Sequence, residues 1–179
     1  AHSFGISIAS DVFKLEIQIM LEQIQLLDSQ IKIIEAEIQE IVSKQENYLT
    51  TITGIGDITA AVLMAEAGDI KRFERPNQLL AFFAGLDASV HQSGDFTGTK
   101  NRLSKRGSPY LRRAIWQAAF VAAFKDPALS LYYQKLRKRG KSHGTAIGAV
   151  ARKLVNIIFA VWTQNKPYEA HFPEDISEK

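Results

Sequence analysis

The chain has 179 residues, no cysteine and a formal net charge of +3 at pH 7. Without cysteine it has no disulfide, thiolate metal site or cysteine nucleophile, which fits a reducing compartment. No stretch reads as the uninterrupted apolar run of a membrane span, and the N-terminus lacks the basic-then-apolar pattern of a signal peptide. The expectation is therefore a soluble, intracellular protein with no membrane partner. The length suffices for one globular domain with an appendage. Because the chain opens on Ala1 rather than Met, it is read as a processed piece with room for a partner segment ahead of it.

Charge is spread unevenly. Residues 1–50 hold three basic and eight acidic side chains, whereas residues 95–153 hold fourteen and two. A folded block this basic is the electrostatic footprint of a polyphosphate partner. The alternative is a solvated basic face. The block's arginine content, and its interruption by glycines and aromatics, favour nucleic acid.

Residues 11–46 contain no Gly or Pro and carry Phe13, Ile17, Met20, Ile24, Leu27, Ile31, Ile34, Ile38 and Ile41 at alternating steps of four and three. This is the heptad rhythm of a coiled coil, with Ile17, Ile24, Ile31 and Ile38 at a and Met20, Leu27, Ile34 and Ile41 at d. A helix of that length reaches roughly 50 Å, longer than a small domain is wide, so its stripe needs a partner helix. No second such helix follows, and the expected partner is another copy of the chain.

Next comes Ile52-Thr53-Gly54-Ile55-Gly56-Asp57, then a helix over 58–67, with Asp57 as its expected N-cap and Gly68 as its C-cap. Arg75-Pro76 opens a short helix through Phe82 and Phe83, closed by Gly85. Residues 86–107 read as a long loop with room for a hairpin. Ser108-Pro109 starts a helix to about Lys125 that is apolar on most of its circumference, and so is expected in the core. Asp126-Pro127 starts another that ends in the basic run before Gly140. A last helix runs from about His143 to Gln164, and a frayed tail is expected from 168. The fold class is all-α: a coiled-coil helix over 10–48, a compact helical domain over 49–167 and a tail over 168–179.

Three groups of residues could carry chemistry. Gly54-Ile55-Gly56 looks like the hairpin of a helix-hairpin-helix motif, in which glycines let the backbone approach a phosphate without reading bases. An ordinary tight turn between packed helices has the same residues. The loop from His91 to Gly107 gathers hydroxyls, glycines and cations, including Lys100, Arg102, Lys105 and Arg106. Ser93, with Gly94 beside it, could attack phosphorus if a base takes its proton and the cations hold the developing charge. On the residues alone, a phosphate-binding loop without covalent chemistry is the stronger reading, and His91 is a base or a bystander. Arg112 and Arg113, just after the loop, are read as a phosphate clamp. No Asp, Glu and His grouping has metal-ligand spacing, and no metal is assigned.

Thr53-Gly54-Ile55-Gly56 with Ala60-Ala61, Phe73, Gln78-Leu79-Leu80-Ala81 with Gly85-Leu86, Gln92-Ser93-Gly94, and Ser104-Lys105-Arg106-Gly107 with Tyr110-Leu111-Arg112-Arg113 follow one another over about residues 49–125. Together they resemble the C-terminal domain of the "one-ten" insertion-sequence transposases, also called bridge-RNA-guided recombinases. The resemblance implies that Ser93 is the catalytic serine, that DNA and a guide RNA are the partners, and that Mg²⁺ is held by a RuvC-like acidic domain preceding the coiled coil. That domain has no room in this chain, so the fragment is expected to hold no cofactor and not to recombine DNA alone. The resemblance also places the protein in the bacterial cytoplasm, at the nucleoid. Two rivals remain open: a non-catalytic helix-hairpin-helix nucleic-acid-binding module, and a coiled-coil assembly module whose basic face only solubilises it.

Overall fold

The computed structural model describes the backbone of residues 7–79, 85–86, 92–93, 96–97 and 104–170, and the side chains of 11–79, 85–86 and 104–170. Apart from turns, loops and one two-residue antiparallel ladder, the described residues are helical, which makes the fold all-α. The trace divides into two compact units, one ending at Ile41 and the other starting at Val42.

The first unit is the helix α1 (Ser7–Ser43, 37 residues). Its length follows from the lack of any breaker between residues 11 and 43. Phe13, Ile17, Met20, Ile24, Leu27, Ile31, Ile34 and Ile41 are each at least half exposed, and Ile38 is half-buried. The helix also exposes a second row at seven-residue spacing, Val12, Ile19, Leu26 and Ile33, which the heptad reading passed over. At about 100° per residue this row lies on a face distinct from the a/d seam.

Near the start of the second unit the Asn47 side chain accepts from the Leu49 N–H at 3.1 Å and donates to the Gln45 carbonyl at 3.0 Å. A 3-10 turn (Leu49–Thr51) leads into α2 (Asp57–Ala67), a second 3-10 turn (Ile70–Arg72) and the single turn α3 (Pro76–Gln78). Strands β1 (Gln92–Ser93) and β2 (Phe96–Thr97) pair antiparallel, Gln92 opposite Thr97 and Ser93 opposite Phe96. Then come α4 (Pro109–Lys125), α5 (Pro127–Lys138) and α6 (His143–Gln164). The expected helix through Phe82 and Phe83 falls on residues outside the described ones.

The three C-terminal helices start where short-range chemistry says they should. Ser108 Oγ accepts from the Leu111 N–H at 3.1 Å, Asp126 Oδ1 from Leu129 at 2.8 Å and Ser142 Oγ from Thr145 at 3.3 Å, each satisfying a donor that the first helical turn leaves open. At α2 the cap differs from expectation. Gly56 is the N-cap, with no side-chain bond, and Asp57 is the first helical residue, where its charge favours the positive end of the helix.

Helix α6 is the centre of the unit, packing against α4, α5, α3 and both 3-10 turns. It is long and apolar enough to cross a membrane by length and composition, although Arg152 and Lys153 interrupt its apolar run. Its apolar character is instead spent on the core, where Ile147, Val150, Leu154, Val155 and Ile158 are fully buried. Helix α4 also departs from expectation. It buries Ala114, Ala118, Ala119, Ala122 and Ala123 and leaves Phe120 48% and Phe124 53% exposed. Small side chains let neighbouring backbones approach closely, so the alanine face takes the core and the rings are turned outward.

The segment after α6 is not frayed at its start. The Tyr168 N–H donates to Thr51 Oγ1 at 2.8 Å, joining the end of the unit to its beginning. The Tyr168 phenol lies beside the buried Asp126 carboxylate. Burial first, then the hydrogen bond and negative charge of Asp126, push it well above the ordinary tyrosine range.

Candidate nucleic-acid interface

The loop preceding α4 is held by backbone. The Lys105 N–H donates to the Gly85 carbonyl at 3.1 Å, and Lys105 takes a positive φ of 54°. A non-glycine residue in that region costs about 1 kcal/mol or more and persists only where its surroundings hold it. The holding partner is Gly85, itself at φ +58°, where a Cβ would run into the Arg106 backbone oxygen and nitrogen. The Gly85-Leu86 pair of the sequence motif therefore grips Lys105-Arg106. Both cationic side chains are left exposed.

Three residues later α4 begins, with Arg112 half-buried and Arg113 exposed near its N-terminus, and no acid in its first turn. Cations at this end oppose the helix dipole, a placement that stability alone does not favour. It suits an anion, which would meet both the helix N-terminus and the guanidinium groups. The basic cluster in the last turn of α5, Lys135, Arg137 and Lys138, has the dipole in its favour and calls for no ligand to explain it.

Between Phe96 and Tyr168 the chain carries fifteen Lys and Arg and a single acid, Asp126. Asp126 is 1% exposed. Its carboxylate is turned inward as the α5 cap, so the described surface of α4, α5 and α6 presents no negative side chain. A groove of about 870 Å³ between α5 and α6 is lined by Lys135, Arg139, Lys153 and Lys166, with one acid, Glu169, at its edge. Lys153 Nζ sits 4.5 Å from the centre of the Tyr132 ring.

The two glycines of the Gly54-Ile55-Gly56 turn separate in role. Gly54 has φ +93°, and a Cβ there would stand 2.5 Å from the Ala118 carbonyl oxygen of α4. The Ile55 N–H closes the turn on the Ile52 carbonyl at 2.9 Å. Close approach to α4 thus accounts for glycine at 54. Gly56 is exposed, with nothing within 4 Å of where a Cβ would stand, and caps α2. On its other side the turn is flanked by a 3-10 turn rather than by an α-helix.

Ser93 sits in β1 at the end of the ladder, opposite Phe96, with Gly94 and Asp95 between the strands. The Ser93 side chain lies outside the described residues, as do His91, Lys100 and Arg102. Of the residues singled out in the sequence, Lys105 and Arg106 lie exposed on the segment that Gly85 holds, and Arg112 and Arg113 follow near the start of α4. The sequence reading did not single out the rings of Phe120, Phe124, Tyr133 and His143, which the packing gathers into one cluster. The spacing Arg113, Gln117, Phe120, Phe124 along one helical face was the available signal.

Residues 46–134 match the family model described as the transposase of the IS116/IS110/IS902 family. The chain is 35% identical over 129 residues, 72% of its own length and 31% of the relative's, to an insertion element IS110 protein of 43.6 kDa from Streptomyces coelicolor. It is 31% identical over 134 residues (74% and 41%) to a pilin gene-inverting protein from Moraxella bovis. It is 34% identical over 122 residues (66% and 33%) to the transposase for insertion sequence element IS1111A from Coxiella burnetii. The chain thus spans well under half of the length of these relatives.

Proposed function

We propose, for a chain whose residues 46–134 form a transposase domain of the IS116/IS110/IS902 family, that it is the DNA-binding and serine-supplying part of a larger DNA recombinase. The observation that carries the binding half of this reading is the run from residue 96 to 168, in which fifteen cations accompany a single acid, the buried Asp126. Lys105, Arg106, Arg112 and Arg113 hold phosphates of DNA, or of a guide RNA, with the exposed backbone at Gly56 as a further contact. Lys100 and Arg102, earlier in the same basic run of sequence, add to this phosphate contact. Such contacts fix position without reading sequence. Residues 10–48 carry the assembly helix and 49–167 the working domain, acting at DNA in the bacterial cytoplasm.

The catalytic half rests on the family resemblance and on Ser93. Its hydroxyl gives up a proton to a base, Oγ bonds to phosphorus, and the displaced deoxyribose oxygen leaves with a proton, so that the strand end is kept as a phosphoserine ester. The acidic domain of the complete protein, outside this chain, supplies Mg²⁺, and the chain itself holds no cofactor.

Neutralising Lys105, Arg106, Arg112 and Arg113 together is expected to weaken binding to unrelated DNA sequences about equally. The same change should reduce the dependence of log affinity on log salt by up to about four. A titration in which the quadruple variant keeps its affinity at low salt would overturn the binding reading, and a loss confined to one sequence would point to base recognition instead. Self-association through α1 is expected on separate grounds, because its apolar seam is exposed along the helix. Polar replacement of Ile24 and Ile31 should dissociate the assembly and leave the second unit folded. Light scattering that shows a monomer for the unaltered chain at high concentration would refute it.

A further inference from the structure

Helix α4 packs Trp116 toward Gly148 of α6 but turns Phe120 and Phe124 outward. Phe120 and Phe124 lie 5.4 Å apart, centre to centre, and both are about half exposed. Tyr133 of α5 lies 5.2 Å from Phe124, and His143, at the start of α6, lies 5.8 Å from Phe120 and from Tyr133. Tyr133 Oη and His143 Nδ1 share a hydrogen bond of 2.7 Å that fixes the two rings against each other. Three helices thus contribute to one exposed aromatic surface. The core gains little from phenylalanines at 120 and 124 that stay half in water, and a contiguous exposed patch of this kind marks a contact surface.

The charges around the patch decide what it meets. Along α4 the same face carries Arg113 and Gln117 ahead of Phe120, and on α5 Arg137 follows Tyr133 by one turn. Arg137 in turn donates to the Lys141 carbonyl, two residues before His143. No acidic side chain other than the buried Asp126 occurs on these helices. Rings between cations with no opposing charge are complementary to a polyanion that carries flat faces, which is an unpaired stretch of nucleic acid.

We propose that Phe120 and Phe124, backed by Tyr133 and His143, form a stacking platform for unpaired bases, with Arg113 and Arg137 taking the flanking phosphates. The proposal rests on the nucleic-acid reading above and extends it to a site that duplex DNA, whose bases are already stacked, cannot use. It makes the protein a binder of single-stranded segments as well as of duplex.

The test uses the full chain and two probes: a single-stranded oligonucleotide containing a fluorescent base analogue that is quenched on stacking, and a duplex of the same length. Wild type is expected to bind both and to quench the analogue. Phe120→Leu with Phe124→Leu keeps apolar bulk but removes the rings. It should lose about tenfold or more in affinity for the single strand, and keep its duplex affinity and salt slope. Phe120→Tyr with Phe124→Tyr should retain single-strand binding. Equal losses on both probes, or none, would overturn the platform. So would a fall in assembly mass in the leucine variant, which would make the patch a contact between copies. If the leucine variant fails to fold, quenching by wild type still decides, and its absence with tight binding overturns the proposal. Wild type that binds neither probe would defeat the underlying nucleic-acid reading instead.

Discussion

Ser93→Ala in the complete recombinase is expected to abolish strand transfer while folding, self-association and nucleic-acid binding stay close to wild type. A covalent route has no substitute for the missing oxygen, whereas β1 is only two residues long and ends at Ser93, so removal of one hydroxyl there should cost little stability. Two serines nearby serve as controls. Ser108 Oγ caps α4 through the Leu111 N–H. Its replacement by alanine should cost about 1 kcal/mol of stability and leave chemistry intact. Ser104 Oγ accepts from the Arg106 N–H at 3.4 Å, inside the basic loop, and is the natural competitor for the nucleophile's role. A covalent DNA adduct trapped on Ser93 in the complete enzyme, and lost in Ser93→Ala, is the decisive measurement. An active Ser93→Ala protein with an inactive Ser104→Ala counterpart would move the assignment to Ser104. Activity in both would remove serine chemistry altogether.

The next largest effect is expected from two glycines whose loss acts on packing. Gly54→Ala places a Cβ 2.5 Å from the Ala118 carbonyl oxygen in a backbone at φ +93°. Positive φ and a clash with backbone each cost about 1–3 kcal/mol, so thermal or denaturant unfolding should show a loss of roughly 2–4 kcal/mol. Gly85→Ala is expected to be at least as costly, because its Cβ would meet the Arg106 backbone at φ +58°. It should also weaken DNA binding, since the grip on Lys105 and Arg106 would open. Gly56→Ala is the contrast: φ is −96° and nothing lies within 4 Å, so stability should fall by no more than about 0.5–1 kcal/mol, the ordinary preference for glycine over alanine at an N-cap. If Gly54→Ala were as stable as Gly56→Ala, the close approach of the turn to α4 would be wrong.

These outcomes follow the line between what was legible along the chain and what was not. The starts of α4 and α5 at Ser108-Pro109 and Asp126-Pro127, and the end of α2 at Gly68, were readable because caps and breakers act over three or four residues. The uninterrupted helix α1 was readable for the same reason, since it needs no distant contact to be specified. The basic block from residue 95 was also visible as composition. A phosphate partner depends on net charge more than on exact placement.

The roles of Gly54 and Gly85 were not legible, because a glycine that permits a close approach is identified only by what approaches it. That neighbour is Ala118 in one case, 64 residues away in the chain, and Arg106 in the other. The periodicity of α4 showed a helix apolar nearly all round, and so could not say which side would be buried. Packing chose the alanines because small side chains allow α2 and α6 to come close, and that choice exposed the two phenylalanines. The sequence by itself determined where helices begin and that the protein is basic. Only the tertiary structure decided which glycines are structural, that Tyr168 returns to Thr51, and that four rings from three helices share one surface, since each depends on residues far apart in the chain being brought into contact.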